Sequence, residues 1–237
     1  MSLILRVDVD KPYGNHTFGR RILSKIIENY FPNFKIKSGY LSHLKEFITF
    51  CNNKKVVGTF YFRICTRPDS NCLQILQNGG HEIGLHLENS FSKFTFLEEL
   101  NLFQLLSGRK VKSFSKHGSG VFKLGKYHYP KYEPEKYLEW ATEGEVFYNS
   151  GNGIPKKPED LISSDNYFDC VFWLEPSYRS ISFNNISDLI EIAKNHDVVV
   201  LIHPCNYIAD SNTKEAFHNL VKLSHEQNVQ WKLFNDI

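Results

Sequence analysis

Short runs dense in Val, Ile and Phe alternate with amphipathic runs along the whole of this 237-residue chain. Eight of the apolar runs read as strands: 3–10, 56–62, 81–87, 111–116, 146–149, 170–174, 198–203 and 229–234. Several lack a clean in–out alternation, as strands do when both faces of a parallel sheet are covered. Between them, 20–30, 40–50, 72–77, 96–106, 134–142, 187–196 and 213–227 space their apolar residues as helices do. In the first of these, Ile22, Ile26 and Ile27 share one face. Gly79-Gly80 supplies a helix stop, and Ser187 or Asp188 a helix start. Repeated strand–helix units imply parallel pairing through right-handed crossovers. Seven or eight such units favour an α/β fold of the distorted (β/α) barrel kind over an open sheet. The length suits one domain spanning 1–237.

A formal charge of +2 is too small to argue for nucleic acid or a membrane surface. The lysines between 110 and 136 read as a solvated face. Five cysteines, odd in number and without a C-x-x-C pair, argue against a disulfide framework and for a reducing compartment. The chain enters its first strand with no basic segment leading into a long apolar one. No run reaches the ~18 apolar residues of a membrane span. The expectation is a cytoplasmic protein with no transmembrane segment and no nucleic-acid partner.

Chemistry-bearing residues close five of the predicted strands: Asp8-Val9-Asp10, His86, His117, Asn149 and His203. The C-terminal strand ends of a barrel form one rim, where catalytic groups collect. Asp8 and Asp10 alternate onto the same side, and adjacent carboxylates repel unless a cation neutralises them. A divalent metal held by one Asp, with the other as base, resolves the repulsion. A carboxylate capping the turn at Lys11-Pro12 is the alternative. Further along, His86 shares a face with Gly84 and Glu82 while His81 points the other way. His86 is then the rim residue and His81 the structural one.

Asp8-Val9-Asp10, Gly58-Thr59-Phe60-Tyr61-Phe62, Gly80-His81-Glu82-Ile83-Gly84-Leu85-His86 and Leu201-Ile202-His203 stand in this order over nearly the whole chain. Together they resemble the polysaccharide deacetylase family, also called carbohydrate esterase family four. The resemblance implies metal-dependent removal of N- or O-acetyl groups from a saccharide or sugar conjugate, in surface polysaccharide biosynthesis. It implies Asp8 as general base, Asp10 and His86 as ligands to a divalent metal, zinc first, and His203 as general acid.

Two departures from the family pattern matter. Its second metal histidine falls on Ser90 here, and a serine hydroxyl is a poor zinc ligand. His117 is the first candidate for the third ligand and Glu88 the second. The arginine that orients the family's base falls near Phe114-Ser115-Lys116-His117-Gly118, so Lys116 is expected to supply that charge, as a point rather than a fork. Asn149 stands where the family often has an acid, and the family's tryptophan motif is not recognisable. Tyr127, His128, Tyr129 and Tyr132, in the irregular stretch 118–132, are candidates for stacking on sugar. Two other readings stay open: a degenerate barrel that binds carbohydrate without hydrolysing it, and hydrolysis of a non-sugar amide on the same scaffold.

Overall fold

The computed structural model describes residues 1–118, 133–163, 167–180 and 183–237; the aromatic cluster expected between 127 and 132 lies outside them. Its strands are β1 (Ser2–Val9), β2 (Thr59–Phe62), β3 (Glu82–Leu87), β4 (Phe114–Lys116), β5 (Ser150–Gly153), β6 (Phe168–Cys170), β7 (Phe172–Trp173), β8 (Val198–Ile202) and β9 (Gln230–Lys232). Seven of these form one sheet in the order β4-β3-β2-β1-β8-β7, with β9 also on β1; β5 and β6 pair separately. Every pair among the named strands is parallel. The sheet curls into a half-barrel, the distorted (β/α) barrel expected of the strand–helix alternation.

β1 is the axis of the sheet. β8 lies along one edge, from Leu3 to Val7. The other edge is shared, β2 pairing Arg6 to Val9 and β9 pairing Ser2 to Ile4. The last strand thus fills the stretch that the short β2 leaves bare. The strand expected at 146–149 is reduced to a single bridge, Ser113 to Phe147, and β5 starts just after it. The run expected at 170–174 divides, because Cys170 pairs with Gly153 while Phe172 pairs with Val200.

The helices are α1 (Phe18–Tyr30), α2 (Ser42–Asn53), α3 (Ser70–Asn78), α4 (Lys93–Ser107), α5 (Pro134–Glu143), α6 (Ile186–Ala193), α7 (Pro204–Ala209) and α8 (Ser211–Glu226). Side chains of Thr17, Asp69, Ser92 and Asp210 cap their first turns. α6 is capped by Asn185, which accepts from Ser187 N–H, rather than by Ser187 or Asp188. α7, only six residues long, escapes periodicity altogether. Of the three isoleucines that share a face of α1, only Ile27 is buried; Ile22 and Ile26 face solvent.

Two cores lie on opposite faces of the sheet. Leu3, Leu5, Val7 and Val9, the odd residues of β1, join the large core between sheet and helices. Ile4 turns inward to a small lumen cluster with Tyr61, Phe168, Val171, Val199, Leu201 and Phe234. β3 presses against Tyr61 at Gly84, where a Cβ would come within 2.5 Å of the ring. Only glycine fits there, two residues below His86.

Candidate active site

The inward register of β1 rises from apolar to charged: Ile4, then Arg6, Asp8 and Asp10. Arg6 is fully buried and donates a fork to Asp8, Nε to Oδ1 at 3.0 Å and Nη2 to Oδ2 at 2.7 Å. Its remaining donors go to β5, with Nη1 to Ser150 Oγ at 3.2 Å and Gly151 O at 2.6 Å, and Nη2 to Asn152 Oδ1 at 2.8 Å. Burial opposes the charge of Asp8, but Arg6 and then His86 outweigh it and lower its carboxyl below the usual range. The carboxylate is held ionised and in a fixed plane.

At the rim, Asp10 Oδ1 lies 3.2 Å from His86 Nε2 and 3.0 Å from His117 Nδ1. The two imidazole nitrogens are 3.0 Å apart. One donor atom from each residue falls within 4.8 Å of the other two. Asp10 Oδ1 is buried yet has no hydrogen-bond partner among the described residues. Ser115, directly across the ladder from His86, holds His86 Nδ1 at 2.7 Å, so Nε2 faces the cluster. Burial keeps the His117 imidazole well below its ordinary range, against the pull of Asp10. A neutral His117 imidazole beside an Asp10 carboxylate held well below its usual range is the protonation pattern that metal ligation requires. Three converging donors, one a buried oxygen without a partner, fit a divalent cation of the catalytic kind, which keeps a position open.

His203 closes β8 on the far side of Asp10, with Nε2 3.8 Å from Asp10 Oδ2. Glu175 Oε1 holds it twice, at 2.9 Å from Nδ1 and 2.8 Å from the backbone N–H, and accepts from Asn206 Nδ2 at 3.2 Å. The Trp173 ring stacks on the imidazole at 5.7 Å. Burial works against a charge on His203, but Glu175, with help from Asp10 and Asp8, pushes its pKa up to about 9. It carries a proton at neutral pH.

Asp8, Asp10, His86, His117 and His203 are therefore brought together, and three other sequence candidates are not. Glu88 turns away onto Arg63, whose guanidinium also bonds Glu28 at 2.6 Å and the Asp10 carbonyl at 2.7 Å. It braces the rim and does not join the Asp10 cluster. Lys116 directs Nζ to the carbonyls of His117 and Gly118, at 3.2 and 2.6 Å; the fork on Asp8 comes from Arg6 instead. Asn149 gives its carbonyl to Phe168 N–H in the β5–β6 ladder, and Asn152 takes the place at Arg6. Ser90 is buried, and its Oγ has no partner among the described residues.

Sequence reasoning passes over Arg6, Ser115, Trp173 and Glu175. Arg6 leaves a signal, since a charge in an apolar strand two residues before Asp8 must share its side. Glu175 leaves a weaker one, one residue past a predicted strand end. His81 behaves as the structural histidine expected: Nδ1 accepts from Gly58 N–H at 3.2 Å, and Nε2 meets Asn52 Oδ1 at 2.7 Å.

No protein-family model matches the chain, and no curated protein matches it. Solved structures do. A mutant CE4 family pseudoenzyme with restored enzymatic activity matches at 11% identity and a TM-score of 0.53, over 99% of this chain and 66% of its own length. The catalytic domain of a peptidoglycan N-acetylglucosamine deacetylase from Eubacterium rectale ATCC 33656 matches at 10% identity and 0.51, over 98% and 87%. A Puue allantoinase matches at 11% identity and 0.54, over 99% and 87%. At these identities the likeness is one of fold: the chain shares its fold with CE4 polysaccharide deacetylases and with an allantoinase.

Proposed function

We propose that this chain is a metal-dependent hydrolase of the polysaccharide deacetylase family that removes an acetyl group from an N- or O-acetylated sugar. One observation carries the reading. The donors of Asp10, His86 and His117 meet at one place, between an ionised carboxylate on Asp8 and a protonated imidazole on His203. A base, a three-ligand metal position and an acid in that order are what acyl transfer to water requires.

A divalent cation held by Asp10, His86 and His117, zinc by preference, supplies carbonyl polarisation and a water acidic enough to ionise near neutrality. The remaining work belongs to the side chains. Asp8 accepts the proton of the attacking water, and Arg6 fixes the carboxylate plane for that transfer. His203 delivers a proton to the departing nitrogen or oxygen. Glu175 sets its tautomer and holds the ring, and Trp173 shields its face from water. The motif resemblance supports a sugar substrate and a place in surface polysaccharide biosynthesis. Among the described residues no helix is long and apolar enough to cross a membrane. Cytoplasmic placement is part of the proposal and rests on the sequence alone.

The allantoinase likeness keeps a second reading, hydrolysis of a non-sugar C–N bond by the same residues. Elemental analysis of the purified chain, combined with acetate release from a panel of N-acetylated sugars and ring opening of cyclic amides, separates the cases. Stoichiometric metal with acetate release is expected. Metal with amide opening alone selects the second reading. A chain with neither metal nor turnover rejects the proposal and favours the carbohydrate-binding barrel.

A further inference from the structure

α1 carries a row of large apolar side chains that the described residues leave exposed. Phe18, Ile22, Ile26 and Tyr30 recur every fourth residue, which aligns them on one face of a helix. Phe18 and Tyr30 are 78% and 73% exposed, and Phe31 and Phe34, just beyond the helix, are 57% and 59%. An exposed apolar row of this kind is the pattern that marks an interaction site.

The charges around it are equally one-sided. Between residues 11 and 41 the chain places six of its 28 basic residues and one of its 26 acidic ones. That one acid, Glu28, is turned inward, to Lys11 at 2.7 Å and Arg63 at 2.6 Å. Arg21, Lys25 and Lys37 stand exposed with no ion pair among the described residues. The near-zero charge of the whole chain conceals a segment that is strongly cationic, with an excess of acid elsewhere. An exposed apolar row interleaved with cations and free of carboxylates is the pattern of a helix lying in a membrane interface. A self-complementary dimer through this face would set the same cations against one another. Anionic headgroups over an acyl layer complement both features at once.

We propose that α1 and the turn after it seat this protein on the surface of an anionic lipid bilayer. At 13 residues α1 is too short to cross one; it lies in the interface plane. The inner face of the helix is tied to the rim of the site. Ser24 Oγ accepts from Tyr13 N–H and donates to Gly14 O, at 3.2 and 3.0 Å. Through Glu28, Arg63 and the carbonyl of Asp10 the helix is linked to a candidate metal ligand by two hydrogen bonds of 2.6 and 2.7 Å. Docking by α1 therefore brings the rim to the lipid surface. The inference does not rest on the hydrolase reading, and binding is measured without turnover.

The test is co-flotation of the full chain with phosphatidylcholine vesicles, with and without phosphatidylserine. The protein is expected to float with the anionic vesicles and to be released by salt at about 1 M, where screening reaches only ~3 Å. Two variants, Ile22→Ser/Ile26→Ser and Arg21→Glu/Lys25→Glu, change only exposed residues. Each is expected to weaken binding about tenfold or more while keeping the parent circular dichroism. Failure to float with anionic vesicles overturns the proposal, as does flotation that both variants retain. Sedimentation velocity supplies the competing outcome: a dimer that Ile22→Ser/Ile26→Ser dissolves assigns the face to a second copy. Selective binding of an acidic protein without any vesicle binding overturns the proposal as well.

Discussion

Asp8 and Asp10 are the same residue type, two positions apart on one strand, yet their neighbours give them different work. Each Asp8 oxygen accepts one bond from the Arg6 fork, whereas Asp10 Oδ1 is buried beside two imidazoles without a hydrogen-bond partner among the described residues. Asp10→Ala and His86→Ala are expected to abolish metal binding and turnover together, and calorimetric titration with zinc reads the first directly; full occupancy in either variant sinks the ligand assignment. With Asp8 as the proposed base, Asp8→Asn is expected to keep the metal and lose activity by ~10²–10⁴-fold, because a base acts on the transition state. Arg6→Lys replaces a planar fork with a point charge and is expected to lower kcat more than it raises KM. An unchanged kcat in Arg6→Lys would show that the fork does not serve the base. His203 must be protonated to act as an acid, and its pKa is raised to about 9. His203 therefore keeps its proton below that value and loses it as pH rises through it, which sets the basic limb of the activity profile. Glu175→Gln removes the strongest support for the charge and is expected to move this basic limb to lower pH. A limb that stays in place dissociates Glu175 from the acid. The strand-end histidines and aspartates were legible because alternation assigns them a side. Arg6 and Glu175 were harder to read, since a partner on another strand, or one residue past a strand end, has no periodicity of its own.

Among the elements, β3 shows how a motif serves geometry as well as chemistry. Gly84 lets the strand approach Tyr61 of β2, and its missing side chain makes room beneath His86. Gly84→Ala is expected to cost ~1–3 kcal/mol through the forced displacement of Tyr61, read from the denaturant midpoint at unchanged slope. A neutral effect would mean that the two strands are not in this register. Long strands and helices with strong periodicity were readable in the sequence within a few residues, as β1, β3, β8, α4 and α8 illustrate. The failures have particular causes. α7 is too short to show a period, and β6 and β7 are one apolar run shared by two ladders. On α1 the isoleucines are correctly periodic, but two of the three face outward. Periodicity reports a face and cannot tell a core from another apolar surface.

For the molecule as a whole, β9 and the turn after it seal the end of the half-barrel opposite the site. Phe234, almost fully buried, enters the lumen cluster with Ile4, Phe168 and Val199. Phe234→Ala is expected to destabilise the fold by ~3–5 kcal/mol while leaving zinc affinity in the native state unchanged, a pairing that equilibrium unfolding and calorimetry can check. Loss of zinc affinity in a still-folded variant would couple the two ends of the lumen. The odd and even residues of β1 also have an evolutionary consequence. Leu3, Leu5, Val7 and Val9 answer to the helices outside, while Arg6 and Asp8, one step out of phase, answer only to the lumen. Substitutions that rewrite the inner set leave the outer packing as it was. The inner set of β1 can therefore change while the outer shell is inherited.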